Sequence, residues 1–277
     1  MRYINKELPV FKEKGETIVY RFLTEAYAGD SHYEGLEYEN FRKPEYRTEF
    51  ESLLREEQYN ICCYCMRDVS NSPISLEHII PRACNKDDFK YYKKYKVLCD
   101  HVELKETFAK VPLKPQNELV RYPHVVAYGN LVVSCNGISE ENNKACCMCN
   151  GPRGNEKIVP LMLLPDCLEQ VGYIKNGEMY SKKGNQEIIN TIKLLNLNYE
   201  RLKEIRKIWY LIGKHQCWRK LWNAKSEILR RYLFIRLFEV DRPSELPEEI
   251  KKYTDNDFYW NLMLKYQWFY GYYLLYG

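Results

Sequence analysis

Residues 62–83 read CCYCMRDVSNSPISLEHIIPRA, and the order of residue types in this stretch decides how the chain is read. Cys62 and Cys65 have CxxC spacing, which lets one tight turn present two thiolates to a single metal ion. Asn71, Ser72 and Pro73 then mark a turn, and Ile74 to Ile80 form a short β-like run that Pro81 ends. His78 is therefore expected on a strand or just after it, with the Glu77 carboxylate beside it. An isolated histidine in that place is most often a packed strand-end residue, so its neighbours must carry any functional reading. A neutral imidazole near physiological pH takes a proton from water, and an adjacent carboxylate holds a hard cation that neutralises phosphate charge. Phosphodiester hydrolysis requires both.

The cysteines extend the pattern. Of eleven, Cys62, Cys63 and Cys65 form one knot, Cys146, Cys147 and Cys149 form another, and Cys135 stands between them. The N-terminal residues lack the charged, apolar, small-residue order of a secretory signal, so the thiols are expected to stay reduced and to point to metal. Cys84, Cys99, Cys167 and Cys217 are scattered and read as packed small apolar residues. One CxxC pair alone is a weak signal; two knots flanking a histidine and asparagines are stronger.

The order CxxC, Glu-His-x-x-Pro, Asn-Leu-x-x-x-Cys, Cys-Asn-x-x-Arg, carried by Cys62 and Cys65, Glu77 to Pro81, Asn130 to Cys135 and Cys149 to Arg153, resembles the HNH endonuclease family. That family is built on a ββα-metal finger often pinned by two cysteine pairs. The chain departs from it where GISEENNKACCM separates Cys135 from Cys149, since the second pair usually has CxxC spacing. The resemblance implies Cys62, Cys65, Cys135 and Cys149 as ligands of a structural zinc, with Cys146 as the substitute for Cys135. It implies His78 as general base, Glu77 and Asn150 as ligands of a catalytic magnesium or other divalent cation, and Asn130 as the residue that fixes the loop and orients the histidine. Arg153 is expected to face a phosphate, and Asn155 rivals Asn150. Water would attack phosphorus, His78 accepting the proton and the cation stabilising charge on phosphate and leaving oxygen.

A longer set of segments, MRYINK, the CCYC-to-EHIIP passage, YGNLVVSCNG, KIVPL and LNLNYERLKEIR, looks like the PtuB-type HNH proteins of Septu and retron anti-phage systems. This resemblance implies a PtuA-like ATPase as partner. The chain itself carries no G-x-x-x-x-G-K-[ST] phosphate loop.

The fold expected is α+β: an N-terminal helical segment over residues 1–55, an HNH core over 56–160 with an insertion at 85–128, and a hairpin plus helical region over 161–277. Phe50, Leu53 and Leu54 lie at helical spacing ahead of Cys62, and GYIKNGEMY carries an Asn-Gly hairpin turn. The C-terminal aromatics Tyr259, Trp260, Trp268, Phe269, Tyr270, Tyr272 and Tyr273 read first as core, second as a docking surface for the ATPase. KYYKKYK, Lys90 to Lys96, reads as a solvated helix face before a phosphate-tracking edge. His32, His101, His124 and His215 have no motif around them.

Composition bounds the rest. Hydrophobic residues at 45% and aromatics at 14% exclude a disordered chain. The balance of 42 Lys+Arg against 38 Asp+Glu, +4, is too small to identify a polyanion binder by net charge. No apolar run has the length of a membrane span, so a soluble, cytoplasmic protein is expected. DNA is the expected substrate. The alternatives are an RNA-cleaving toxin with the same centre and a zinc-stabilised nucleic-acid-binding module without catalysis.

Overall fold

The computed structural model describes the chain apart from residues 29, 31, 34, 115–117, 138–146, 215–256 and 270–277. Among the described residues, helices alternate with strands that pair only two at a time, so the chain is mixed α+β. Strand β1 (Ile74–His78) pairs with β4 (Leu131–Cys135), β2 (Val102–Glu103) runs parallel to β3 (Tyr122–Pro123), and β5 (Val171–Tyr173) runs antiparallel to β6 (Met179–Ser181). No helix among the described residues is long and apolar enough to cross a membrane. Contacts divide the chain into two units. Unit 1 gathers Met1–Cys63, Ile74–Ser134 and Arg153–Cys167; unit 2 gathers Tyr64–Pro73, Cys135–Pro152 and Leu168–Gly277.

In unit 1, helix α1 (Pro9–Ala26) starts on a proline, where the missing N–H is no loss. Its buried stripe of Ile18, Val19, Phe22 and Leu23 packs on α3 (Pro44–Glu57), which buries Tyr46, Phe50, Leu53 and Leu54. The one-turn helix α2 (Tyr38–Phe41) is locked into this layer by its last ring. Phe41 meets Phe22 at 5.2 Å and Phe50 at 5.1 Å, both edge to face. Burial of Phe41 thereby fixes where Tyr38 and Arg42, on either side of it, lie. Gly15 of α1 is required by a close approach, since a Cβ there would overlap the Tyr128 ring.

Helix α3 ends at Gln58, and Tyr59 and Asn60, both at φ 56, turn the chain sharply. The Gln58 carboxamide then grips β4, accepting from the Val133 N–H at 2.7 Å and donating to the Val133 carbonyl at 2.9 Å. The Cys63 N–H reaches the same carbonyl at 3.0 Å, so the residues entering the first cysteine pair are tied to β4. Strand β4 is buried at every position, in keeping with its unbroken LVVSC run.

The stretch 85–128 holds three short helices, α4 (Lys86–Tyr92), α5 (Lys96–Cys99) and α6 (Lys105–Phe108), besides the β2–β3 pair. Asn85 caps α4 by accepting the Asp88 N–H at 2.8 Å. Within KYYKKYK, Tyr92 is buried while Lys90, Lys93, Lys94 and Lys96 are exposed.

In unit 2 the expected hairpin is present, with Val171 opposite Ser181 and Tyr173 opposite Met179. Gly177, at φ 89, takes the left-handed position after the turn, and its N–H donates to Ile174 at 2.8 Å. Helix α7 (Gln186–Leu194) is capped by the Asn185 side chain, and α8 (Glu200–Lys214) and α9 (Asp257–Leu264) follow. Trp268 and Phe269 are buried, as a core reading expects. Tyr270, Tyr272, Tyr273, His215 and Cys217 lie outside the described residues, as do the side chains of Tyr259 and Trp260.

Strands β1 and β4 pair with each other, and residues 147–155 run as bends and turns. Gly151, Pro152 and Gly154 in that segment oppose helix formation, and Gly154 has φ 55.

Candidate functional site

Four buried thiols converge. The sulfurs of Cys62, Cys65, Cys135 and Cys149 all lie within 4.8 Å of one another, and these are the four cysteines expected from the sequence. Cys65 and Cys135 are 3.7 Å apart and Cys135 and Cys149 3.5 Å apart, too long for a disulfide. Sulfurs at about 2.3 Å from a tetrahedral zinc ion are separated by about 3.8 Å, so the cluster fits such an ion. Left-handed residues shape the turns that present these thiols: Met66, just after Cys65, has φ 63, and Cys149 itself has φ 59. The Cys149 N–H is held by the Leu195 carbonyl at 2.8 Å.

The other cysteines differ. Cys147 is half-buried and donates to the Gly137 carbonyl at 3.0 Å, while Cys146 lies outside the described residues. Cys84 and Cys167 are buried and Cys99 half-buried. Burial pushes the Cys84 thiol up to about 12 and the Cys99 thiol up to about 11, so both stay neutral.

A separate cavity of about 490 Å³ in unit 1 gathers Tyr38, Arg42, Arg47, Glu77, His78, Arg82 and Asn155 on its walls. His78 is the last residue of β1 and is 8% exposed. Its Nε2 stands 2.9 Å from the Val125 carbonyl. A carbonyl only accepts, so Nε2 carries the proton and Nδ1 keeps its lone pair. Burial pushes His78 down to about 3, against the Val125 carbonyl and with the charges of Arg82, His124 and Arg153. The imidazole is therefore neutral at physiological pH. The Tyr38 ring meets it edge-on, 4.5 Å between centroids.

Asn130, in the turn entering β4, braces the residues that follow His78. Its side chain accepts from the Ile80 N–H at 2.6 Å and donates to the Ile80 carbonyl at 3.0 Å and the His124 carbonyl at 2.6 Å. Its own carbonyl accepts the Ile79 N–H at 3.0 Å. His124, fully buried, accepts the Lys105 N–H through Nδ1 at 3.0 Å.

Arg153 has a different task from the one expected. It is 1% exposed, and its guanidinium donates to Glu77 at 2.5 Å, to the His78 and Ile79 carbonyls at 2.7 and 2.6 Å, and to the Glu156 carbonyl at 3.0 Å. A phosphate has no access to it. The carbonyls at the end of β1 and a carboxylate with only 13% of its side chain exposed need donors, and the fork-shaped guanidinium satisfies them together. Glu77 is thereby held in one orientation.

Of the two asparagines, Asn155 lines the cavity, and Asn150 lies in unit 2 on the turn after Cys149. The sequence did not single out Tyr38, Arg42, Arg47, Arg82 or His124. Arg82 directly follows Pro81, a signal that was legible; the others reach the site only through the packing of α2, α3 and the 85–128 stretch. No protein-family model matches the chain, and no curated protein matches it.

Proposed function

We propose that this chain is a metal-dependent HNH endonuclease that hydrolyses phosphodiester bonds of DNA, with His78 as general base. The observation that carries the reading is the Val125 carbonyl at 2.9 Å from His78 Nε2, which leaves Nδ1 free to take a proton from water. Glu77 and Asn155 share the cavity with that imidazole, and arginines suited to a phosphate line it. A zinc-stabilised binding module would need the cysteines but neither a histidine held in one tautomer nor a carboxylate beside it.

In this reading the four thiols hold zinc and fix the local fold, while β1 and β4 supply the strands of the finger. Glu77 and Asn155, with Asn150 as the alternative, would hold a magnesium or similar divalent cation. Such an ion suits a site with few protein oxygens, since it keeps water and substrate phosphate as its other ligands. When bound, it supplies neutralisation of charge on the phosphate and the leaving oxygen. Arg153 keeps Glu77 aimed, and Asn130 keeps the 79–80 backbone from shifting under His78. The sequence resemblance to PtuB-type proteins supports a role as nuclease effector of an anti-phage system with a PtuA-like ATPase. The test is incubation of the purified protein, with and without that ATPase, on plasmid DNA and on total RNA with magnesium. DNA cleavage that increases with the ATPase is expected; cleavage of RNA alone would replace DNA as substrate, and cleavage of neither would overturn the reading.

A further inference from the structure

We infer that Arg42, Arg47 and Arg82 form a wall of the His78 cavity that binds the sugar–phosphate backbone of the nucleic acid, an inference that rests on the nuclease reading above. Three guanidinium groups line this cavity, against the single carboxylate of Glu77, whose charge Arg153 already meets at 2.5 Å. Arg42, just past α2, has no ion pair or side-chain hydrogen bond among the described residues. Arg47, in the first turn of α3, has Glu51 at 3.5 Å. Arg82 pairs with Glu39 at 2.5 Å, but side chains 49% and 57% exposed make that a weak, exchangeable pair.

The three converge on one ring. The charges of Arg47, Arg42 and Arg82 all reach the Tyr38 phenol, and the Arg82 guanidinium lies 5.4 Å from the centre of the Tyr38 ring. Tyr38 in turn touches His78. A cluster of planar, bidentate donors, one without an ion pair among the described residues and another in an exposed one, next to a proton acceptor suits a phosphodiester, which presents two charged oxygens. It reads backbone and not base, so it is indifferent to sequence. The two helices around Phe41 are thereby part of the substrate site as well as of the core.

The inference is tested on the full-length, zinc-loaded chain carrying His78→Ala, with labelled duplex DNA, and single-stranded RNA of equal length as a second arm. Affinity is measured against salt concentration for this parent, for Arg42→Gln with Arg47→Gln, and for Lys43→Gln. Lys43 lies between the two arginines and does not line the cavity. The slope of log K against log salt should fall by about one per arginine on duplex DNA, with weaker binding at every salt, and should not change for Lys43→Gln. A smaller loss on RNA than on duplex would assign the wall to DNA, and the reverse would assign it to RNA. Equal slopes for parent and double variant, or no binding by the parent, would overturn the inference. Cleavage by the protein with His78 intact is read separately. Cleavage with unchanged slopes leaves the nuclease and removes the wall; lowered slopes without cleavage keep the wall and remove the nuclease.

Discussion

The Asn130 carboxamide satisfies both backbone polar groups of Ile80, accepting its N–H at 2.6 Å and donating to its carbonyl at 3.0 Å. Asn130 is fully buried, so these groups have no water to turn to. Asn130→Ala would leave the Ile80 N–H and the Ile80 and His124 carbonyls without this partner, and should cost about 3 kcal/mol. Asn130→Asp, which keeps the acceptor and loses the donor, should also destabilise. Urea unfolding of the metal-loaded protein measures both, and an unmoved midpoint for Asn130→Ala would show that the bracket is not structural.

Arg153 and Glu77 form a largely buried ion pair, with 1% and 13% of their side chains exposed. Breaking it with Arg153→Met should cost about 3–5 kcal/mol, because a carboxylate and three carbonyls lose their donors. Arg153→Lys should recover little of this, since one ammonium cannot span Glu77, His78, Ile79 and Glu156. With Glu77→Gln already in place, Arg153→Met should cost less. A double-mutant cycle reads the coupling, and strictly additive losses would deny the pair.

The four-thiol cluster predicts about one tightly bound zinc ion per chain, lost or weakened in Cys62→Ser and in Cys65→Ser. Cys84→Ser should leave the zinc content unchanged, since that thiol is buried away from the cluster. Elemental analysis together with thermal melting before and after metal removal checks this. Full zinc in both ligand variants would contradict the assignment.

Acid should destabilise unit 1 through His124. Burial lowers its pKa in the folded state below 6.5, against its contacts with the Arg82 and Glu103 backbone and the charge of Glu106, while Lys105 adds to the lowering; His78, also lowered, faces it. The unfolded chain thus binds the proton first as pH falls. Stability is full above about pH 6.5 and declines as pH drops from there towards the lowered value, by up to about 1.4 kcal/mol per pH unit for this one group. His124→Gln should flatten the decline by that one proton. A variant with the same acid dependence as its parent would remove His124 from the account.

What the sequence made legible was local. Cys62 and Cys65, Glu77 beside His78 at a strand end, and the Asn-Gly hairpin are all set by spacing within a few residues, and the hairpin is found where spacing put it, whereas Cys135 and Cys149 joined Cys62 and Cys65 in the expected set only through the family resemblance. Arg153 was visible as a residue but not as a buried one, because spacing fixes neither the direction of a side chain nor the carbonyls that await it. Tyr38, Arg42 and Arg47 were silent for another reason. They share the His78 cavity because Phe41 is buried against Phe22 and Phe50, a tertiary event with no local signature.

The central claim, that His78 accepts the proton of the attacking water, is tested most directly by comparing the wild-type chain with His78→Ala in magnesium-dependent cleavage of supercoiled plasmid, both proteins zinc-loaded and supplied with the proposed PtuA-like ATPase. Loss of the general base should lower the cleavage rate by about 10²–10⁴-fold while zinc content stays the same. Cleavage by His78→Ala at the wild-type rate would contradict the account.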